Sequence, residues 1–440
     1  MKLHFAFPPM RESVLSNGLR VIRITDHEQP LVMAALQIPV GSLHDPEGLE
    51  GTAQLASALM QKGPASCSAD EFAQALEQEG ASVYVDVHEE FTVFGVRMLS
   101  RSIGEVFRLF WEMVCNPGLA EDELNRLKRE YMTGLQAELS DPGAIAGRKF
   151  HSALFGSEDP WGRAAGPRSV KAIRHESVRR FVADHISPKD ATLLIGGEYD
   201  SDKFYSEWES RLASWNPSSA STGRASIDRA GISSKVIHLI DKPDLSQATL
   251  MIGHPTIGEK NPGKLKLSLA NYSFGGGHFS SRLMSRIRTS SGKTYGISSQ
   301  PQFLTNRGVF SISTTTRSEG AGEVLENILE EYREFVRNGI TEAELEGAKK
   351  FFIGHTAFEL EGVGNVMDKI LWLRFNERNN EYIEKFDELV YGVSTDEVNA
   401  FLCNDFACDH FTMVVVGKRR DIEAQLSGIA PVEAVHFRRG

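Results

Sequence analysis

The chain has 440 residues, 41% of them hydrophobic and 24% charged, with a formal net charge of −11. That length exceeds one ordinary core and predicts two or three globular domains. The acidic balance argues against a nucleic-acid partner, which selects a basic face, and no apolar run approaches the ~18–20 residues that cross a bilayer.

The chain opens MKLHFAFPPMRES, where the run Leu3–Phe7 is stopped by Pro8 and Pro9. This is too short for the apolar core of an export signal, so a cytoplasmic placement is expected. Cys67, Cys115, Cys403 and Cys408 form no C-x-x-C pair. They predict free, mostly buried thiols rather than a zinc knuckle or a redox motif.

Runs rich in β-branched residues predict strands at Leu19–Ile24, Leu31–Pro39, Ser82–Met98 and Thr192–Ile195. Further strands are predicted at Val236–Ile240, Ala248–Ile252, Val309–Thr315 and Thr412–Val416. Between them lie amphipathic helices. Ile103, Val106, Phe107, Phe110, Trp111 and Val114 form one apolar stripe, and Leu325, Ile328, Leu329, Tyr332 and Val336 form another. In the strand-like run, His88, Glu89 and Glu90 are adjacent, so neighbours point to opposite faces. They read as a solvated or chamber-facing cluster.

Asn216–Ser234 is rich in Ser, Ala and Gly and poor in large apolar residues, which predicts a linker near the midpoint. The halves on either side resemble each other. Val178, Phe181, Thr192 and Gly197 recur 220 residues on as Val398, Phe401, Thr412 and Gly417. GLAEDEL, ending at Leu124, recurs as GITEAEL, ending at Leu345. The pattern predicts a duplicated α+β fold: two tandem homologous domains, each a mixed β-sheet with helices packed on one face. The expected boundaries are 1–215, a linker at 216–234, and 235–440.

Two segments carry chemistry. Residues 48–64 read GLEGTAQLASALMQKGP. Taken alone this is an ordinary core helix, but its frame resembles the opening helix of the pitrilysin/insulysin zinc peptidases, the inverzincins, whose signature is H-x-x-E-H. Gly51, Ala53, Lys62 and Gly63 match that frame. The chemical positions do not: Gln54 stands for the first zinc-binding His, Ser57 for the general base and Ala58 for the second His. The family's third ligand, a Glu roughly 76 residues after the second His, falls on Gly134. The resemblance therefore implies a chain without catalytic zinc. An amide, a methyl and a hydrogen cannot supply three protein ligands, and a serine hydroxyl cannot take a proton from a bound water as a carboxylate does.

Residues 274–297 read FGGGHFSSRLMSRIRTSSGKTYGI. The GKT at 292–294 is no phosphate loop, because that motif needs a glycine where Ile287 stands. The segment resembles the second-domain signature of the same family: a Gly-rich turn, S-S-R-L, I-R and G-x-x-Y, with Arg288 and Tyr295 seven residues apart. His278 and Phe279 make the loop between GGG and SSRL longer than the family's. The resemblance, which covers nearly the whole chain, implies that Arg288 and Tyr295 hydrogen-bond the substrate backbone. A guanidinium fork and a phenol are both donors suited to peptide carbonyls.

The match is to the zinc-free partner in family members that work as clamshell pairs, such as the subunits of mitochondrial processing peptidase. It implies a heterodimer with a zinc-bearing subunit, a peptide substrate, and zinc only in the partner. The alternative is an inert structural or peptide-binding scaffold of the same fold.

Overall fold

A computed structural model describes residues 5–216, 235–289 and 294–436. Six strands of the first half form one sheet: β1 (Met10–Val14), β2 (Arg20–Thr25), β3 (Leu31–Ile38), β4 (Ser82–Val87), β5 (Thr92–Leu99) and β6 (Thr192–Gly197), in the order β1-β2-β6-β3-β5-β4. The second half forms another from β7 (Ile237–Asp241), β8 (Gln247–Ile257), β9 (Thr294–Phe303), β10 (Arg307–Arg317), β11 (Thr412–Gly417) and β12 (Val432–His436), in the order β12-β7-β11-β8-β10-β9. Five strands thus occupy the same places in both sheets, and β6 and β11 are the 220-residue repeat. The sixth differs: β1 runs antiparallel to β2, whereas β12 runs parallel to β7. Most of the predicted linker, 217–234, lies outside the described residues.

Each half packs its own helices on one face of its sheet. In the first half these include α1 (Thr52–Met60), α2 (Ala69–Gln78), α3 (Ile103–Cys115) and α4 (Glu121–Glu138). The stripe on α3 is buried as its spacing requires, with Val106, Phe107 and Phe110 at 0% exposure. Capping residues set the helix starts. Ser68 and Glu71 form a reciprocal box at α2, and Asp141 accepts from the Ala144 N–H where Pro142 opens α5 (Pro142–Phe155).

The opposite face of each sheet is covered by a helix from the other half. Phe150 and Leu154 of α5 pack on Val414 and Val416 of β11. Met367 and Ile370 of the helix Gly362–Phe375 pack on Ile22, Ala35 and Leu194. The two helices are also repeats, each 220 residues from the other. The exchange explains why all six residues of β6 and all six of β11 are buried. Strands covered on both faces read as unbroken apolar runs instead of alternating ones. Gly196 lets the helix approach: a Cβ there would lie 2.7 Å from the Met367 Sδ.

The two halves also meet at their hairpin tips. Glu90 accepts from the Thr305 N–H at 2.8 Å, and Glu89 from Gln302 Nε2 at 2.8 Å. The reading of Glu89 and Glu90 as solvated is therefore corrected, since both carboxylates bind the β9–β10 hairpin; Glu89 also lines a cavity. Next to them Arg307 engages Asp159 with both terminal nitrogens and lies against the stacked rings of Phe155 and Trp161, 5.1 Å from each. The cysteines also depart from expectation: Cys115 and Cys403 are exposed, and Cys67 and Cys408 are half-buried. Among the described residues no helix is long and apolar enough to cross a membrane.

Candidate functional site

The helix α1 is held at its start by a buried carboxylate. Asp45 accepts from the backbone N–H groups of Gly51 at 2.7 Å and Ala53 at 2.6 Å, which would otherwise be orphans of the first turn. Burial pushes the Asp45 carboxyl up to about 7, against the pull of those two N–H groups; Glu50 adds to the rise and Arg163 offsets it. The sign follows from the native state binding the extra proton. Between its ordinary value of 3.8 and about 7, the group's contribution to stability falls as pH rises. Asp45→Asn cannot titrate, so the melting temperature of the native chain should fall relative to this variant across that interval. A constant difference between melts at about pH 5 and about pH 8 would contradict the assignment.

On α1, Gln54 is exposed, Ala58 half-buried and Ser57 buried. Gln54 and Ala58, at i and i+4, share a helix face. Helix α4 packs against α1. Gly51, at φ +102°, lies against Tyr131 of α4, where a Cβ would come within 2.9 Å of the ring. Gly134 is nearly one turn further along α4, and a Cβ there would meet nothing within 4 Å.

Gln54, Tyr131 and Glu138 line one cavity of about 420 Å³. Two acid–base pairs stand in its wall. Glu138 lies 3.2 Å from Arg148, and Glu50 lies 3.7 Å from Arg163. Arg148 also donates to the Ala165 carbonyl. Burial holds the neighbouring His151 below its ordinary value, with Glu89 and the Trp161 backbone opposing that shift. Among the described residues no group of three or more His, Cys, Asp or Glu could hold a metal ion. The donor set at Gln54, Ser57, Ala58 and Gly134 does not fit zinc, because it offers neither imidazole nor carboxylate.

The second-half signature has a different local architecture. Two π-helical turns, Tyr272–Gly276 and Met284–Thr289, precede the edge strand β9. The first is stitched to β9 through Asn271, which donates to the Ser299 carbonyl at 3.2 Å and accepts from its hydroxyl at 2.5 Å. Gly275 is needed there, since a Cβ would fall 2.7 Å from the Ser299 backbone nitrogen. Arg288 stands in the second π turn and Tyr295 is the second residue of β9. Their side chains, and residues 290–293, lie outside the described residues. Thr294 anchors the strand start by bonding the Thr314 hydroxyl at 2.7 Å and the Thr315 carbonyl at 2.8 Å.

The first set of residues thus sits on α1 and α4, and the second on a turn and edge strand of the other sheet. Sequence reasoning missed Asp45, whose capping role had no signal beyond its place six residues before Gly51. It also missed the carboxylate contacts of Arg282 with Glu344 and of Arg286 with Glu330, Glu331 and Glu334, although both arginines lie within the quoted motif.

Residues 20–160 match the model of the insulinase family, Peptidase family M16, and residues 172–352 match that of the Peptidase M16 inactive domain. The chain is 22% identical over 424 residues to an uncharacterized zinc protease of Streptomyces coelicolor, covering 94% of this chain and 91% of that protein. It is 24% identical over 396 residues to the non-peptidase homolog YmxG of Helicobacter pylori, covering 86% and 87%. Among solved structures it superposes on a peptidase M16 inactive domain from Pseudomonas fluorescens with a TM-score of 0.84 at 24% identity, covering 93% and 98% of the two chains. A protease from Helicobacter pylori gives a TM-score of 0.81 at 16% identity, covering 93% and 100%. These two show the fold.

Proposed function

We propose that this chain, which carries an M16-family, inverzincin-type peptidase domain joined to an M16 inactive domain, is the non-catalytic, substrate-binding subunit of a heterodimeric zinc metallopeptidase. One observation carries the reading: all four zinc-motif positions, Gln54, Ser57, Ala58 and Gly134, lack their chemistry while Arg288 and Tyr295 keep theirs. A pure scaffold needs neither donor. The name of the H. pylori relative, a non-peptidase homolog, fits a chain that does not cleave on its own.

In this reading the domains are 1–215 and 235–440 with a linker between, and a related subunit supplies zinc and its activated water. This chain's own work is binding and orientation. An extended peptide lies along a strand edge of the partner, and Arg288 and Tyr295 donate to its carbonyls from the facing wall. At the motif positions the chain offers no carboxylate to activate water, so in this reading each subunit alone is an incomplete site. Mixing it with a zinc-bearing M16 relative tests the reading, because peptide cleavage should require both chains.

A further inference from the structure

We infer that Arg282 and Arg286 are positioning residues, which hold the π-helical turn carrying Arg288 in register with the rest of the second half. This deepens the reading of Arg288 as a substrate donor and rests on it. The turn Met284–Thr289 is one short π segment. Such segments are rare, are inserted singly and recur at functional sites. A wide turn of this kind needs outside contacts to define where it sits.

Two arginines four residues apart supply them, each reaching a different helix. Arg282 grips Glu344 in a two-pronged pair, Nε to Oε1 and Nη2 to Oε2, both at 2.6 Å. Its Nη2 also donates to the Gly339 carbonyl at 2.9 Å. Glu344 closes the capping box of the helix Glu342–Phe358, accepting from the Thr341 N–H at 2.7 Å. Arg282 therefore ties the turn to a helix start. Arg286 reaches the preceding helix, Ala321–Asn338, and contacts three carboxylates on it: Glu330 and Glu331 at 2.8 Å and Glu334 at 2.9 Å. These three lie at i, i+1 and i+4, and only the planar fork of an arginine can serve them together.

The two clamps have different uses as probes. Arg282 shares its partner with a helix cap, so its loss also disturbs folding. Arg286 is 29% exposed and its partners stand on a helix that is complete without it. Its pairs with Glu330 and Glu334, 57% and 54% exposed, contribute little to global stability, whereas Glu331 is 9% exposed and is left buried without its cation when Arg286 is removed. The two exposed carboxylates of this threefold anchor, two residues before Arg288, set geometry more than they set stability.

The test is steady-state kinetics of the assembled two-subunit peptidase with Arg286→Ala, Arg286→Lys and the double change Glu330→Gln/Glu334→Gln. Arg288→Ala is the comparison, and Arg419→Ala, an arginine paired with Glu423 on a surface helix, is the control. Arg286→Ala and the double change should each lower kcat about 10-fold to 10²-fold, the scale of a misplaced contact. KM should stay within about twofold for both, because the binding surface is intact and only the reacting geometry is displaced; melting should be unchanged in the double change and lower in Arg286→Ala, which strands the buried Glu331. Arg286→Lys should recover part of the loss and Arg419→Ala should lose nothing. Native kcat in Arg286→Ala beside a crippled Arg288→Ala would overturn the positioning role and leave the substrate reading standing. Native kcat in both would overturn the two together.

Discussion

Arg288→Ala and Tyr295→Phe should each lower kcat/KM of the assembled peptidase by about 10²–10³, the loss of about 2.7–4 kcal/mol that follows removal of a donor aimed at a reacting carbonyl. The size follows from the division of labour. In the proposed function a zinc-bearing partner would hold the peptide by one edge and polarise it from one side. Arg288 and Tyr295 would then fix the carbonyl from the opposite wall. Tyr295→Phe removes one hydroxyl from the second residue of β9, and Thr294 beside it keeps the strand start anchored to Thr314 and Thr315. Packing should therefore hardly change. Gel filtration should show the same complex for both variants. If both assemble and keep activity within about twofold, the scaffold alternative replaces the substrate role.

The largest effect on stability is expected at the contact between the halves. Arg307→Ala removes the partner of Asp159, which is 1% exposed and cannot turn to water. Stranding a buried carboxylate in this way costs about 3–5 kcal/mol, and the two aromatic rings lose the cation packed against them as well. Burial works against the Asp159 charge, but the Arg307 hydrogen bonds, the Trp161 N–H and the nearby Arg163 hold its carboxyl below the ordinary value. A depressed carboxyl stabilises the fold above its unfolded value of 3.8, and that contribution is lost as pH falls through the folded value. Urea unfolding at about pH 7 should show the full gap between native chain and variant, narrowing in acid below about pH 4. Arg307→Lys should fall between them, since an ammonium cannot repeat the two-pronged geometry. A variant as stable as the native chain at neutral pH would show that the halves are held elsewhere.

How far the sequence revealed the fold depends on what each element does. The repeat from Thr192 to Thr412 announced the duplication because β6 and β11 are central strands, buried on both faces and therefore apolar throughout. The edge strands β1, β9 and β12 were missed. β1 is MRESV, and β9 contains Ser, Gln and Pro301, the polar and proline content of strands paired on one side only. Ser82–Met98, expected as one run, is the hairpin β4–β5 broken at 88–91. The exchange of α5 and the helix Gly362–Phe375 was not legible, because periodicity shows that a helix has an apolar face and not which sheet that face meets. The same limit hid the pairing of Glu89 and Glu90 with the β9–β10 hairpin and of Asp159 with Arg307. These contacts join residues 148 to 215 positions apart, and nothing local marks them. The candidate site was legible as motif positions, since Gln54, Ser57, Ala58 and Gly134 could be counted from a frame. The anchors around Arg288 depend on tertiary contacts and could not be.

The most direct measurement is peptide cleavage by this chain alone, by a zinc-bearing M16 relative alone, and by the two mixed at equal concentration, with zinc determined on each purified chain. The proposed function predicts no stoichiometric zinc on this chain, no cleavage by either chain alone, and cleavage by the mixture. Near one zinc per copy of this chain with cleavage in the partner's absence, or a mixture no more active than its zinc-bearing member, would contradict it.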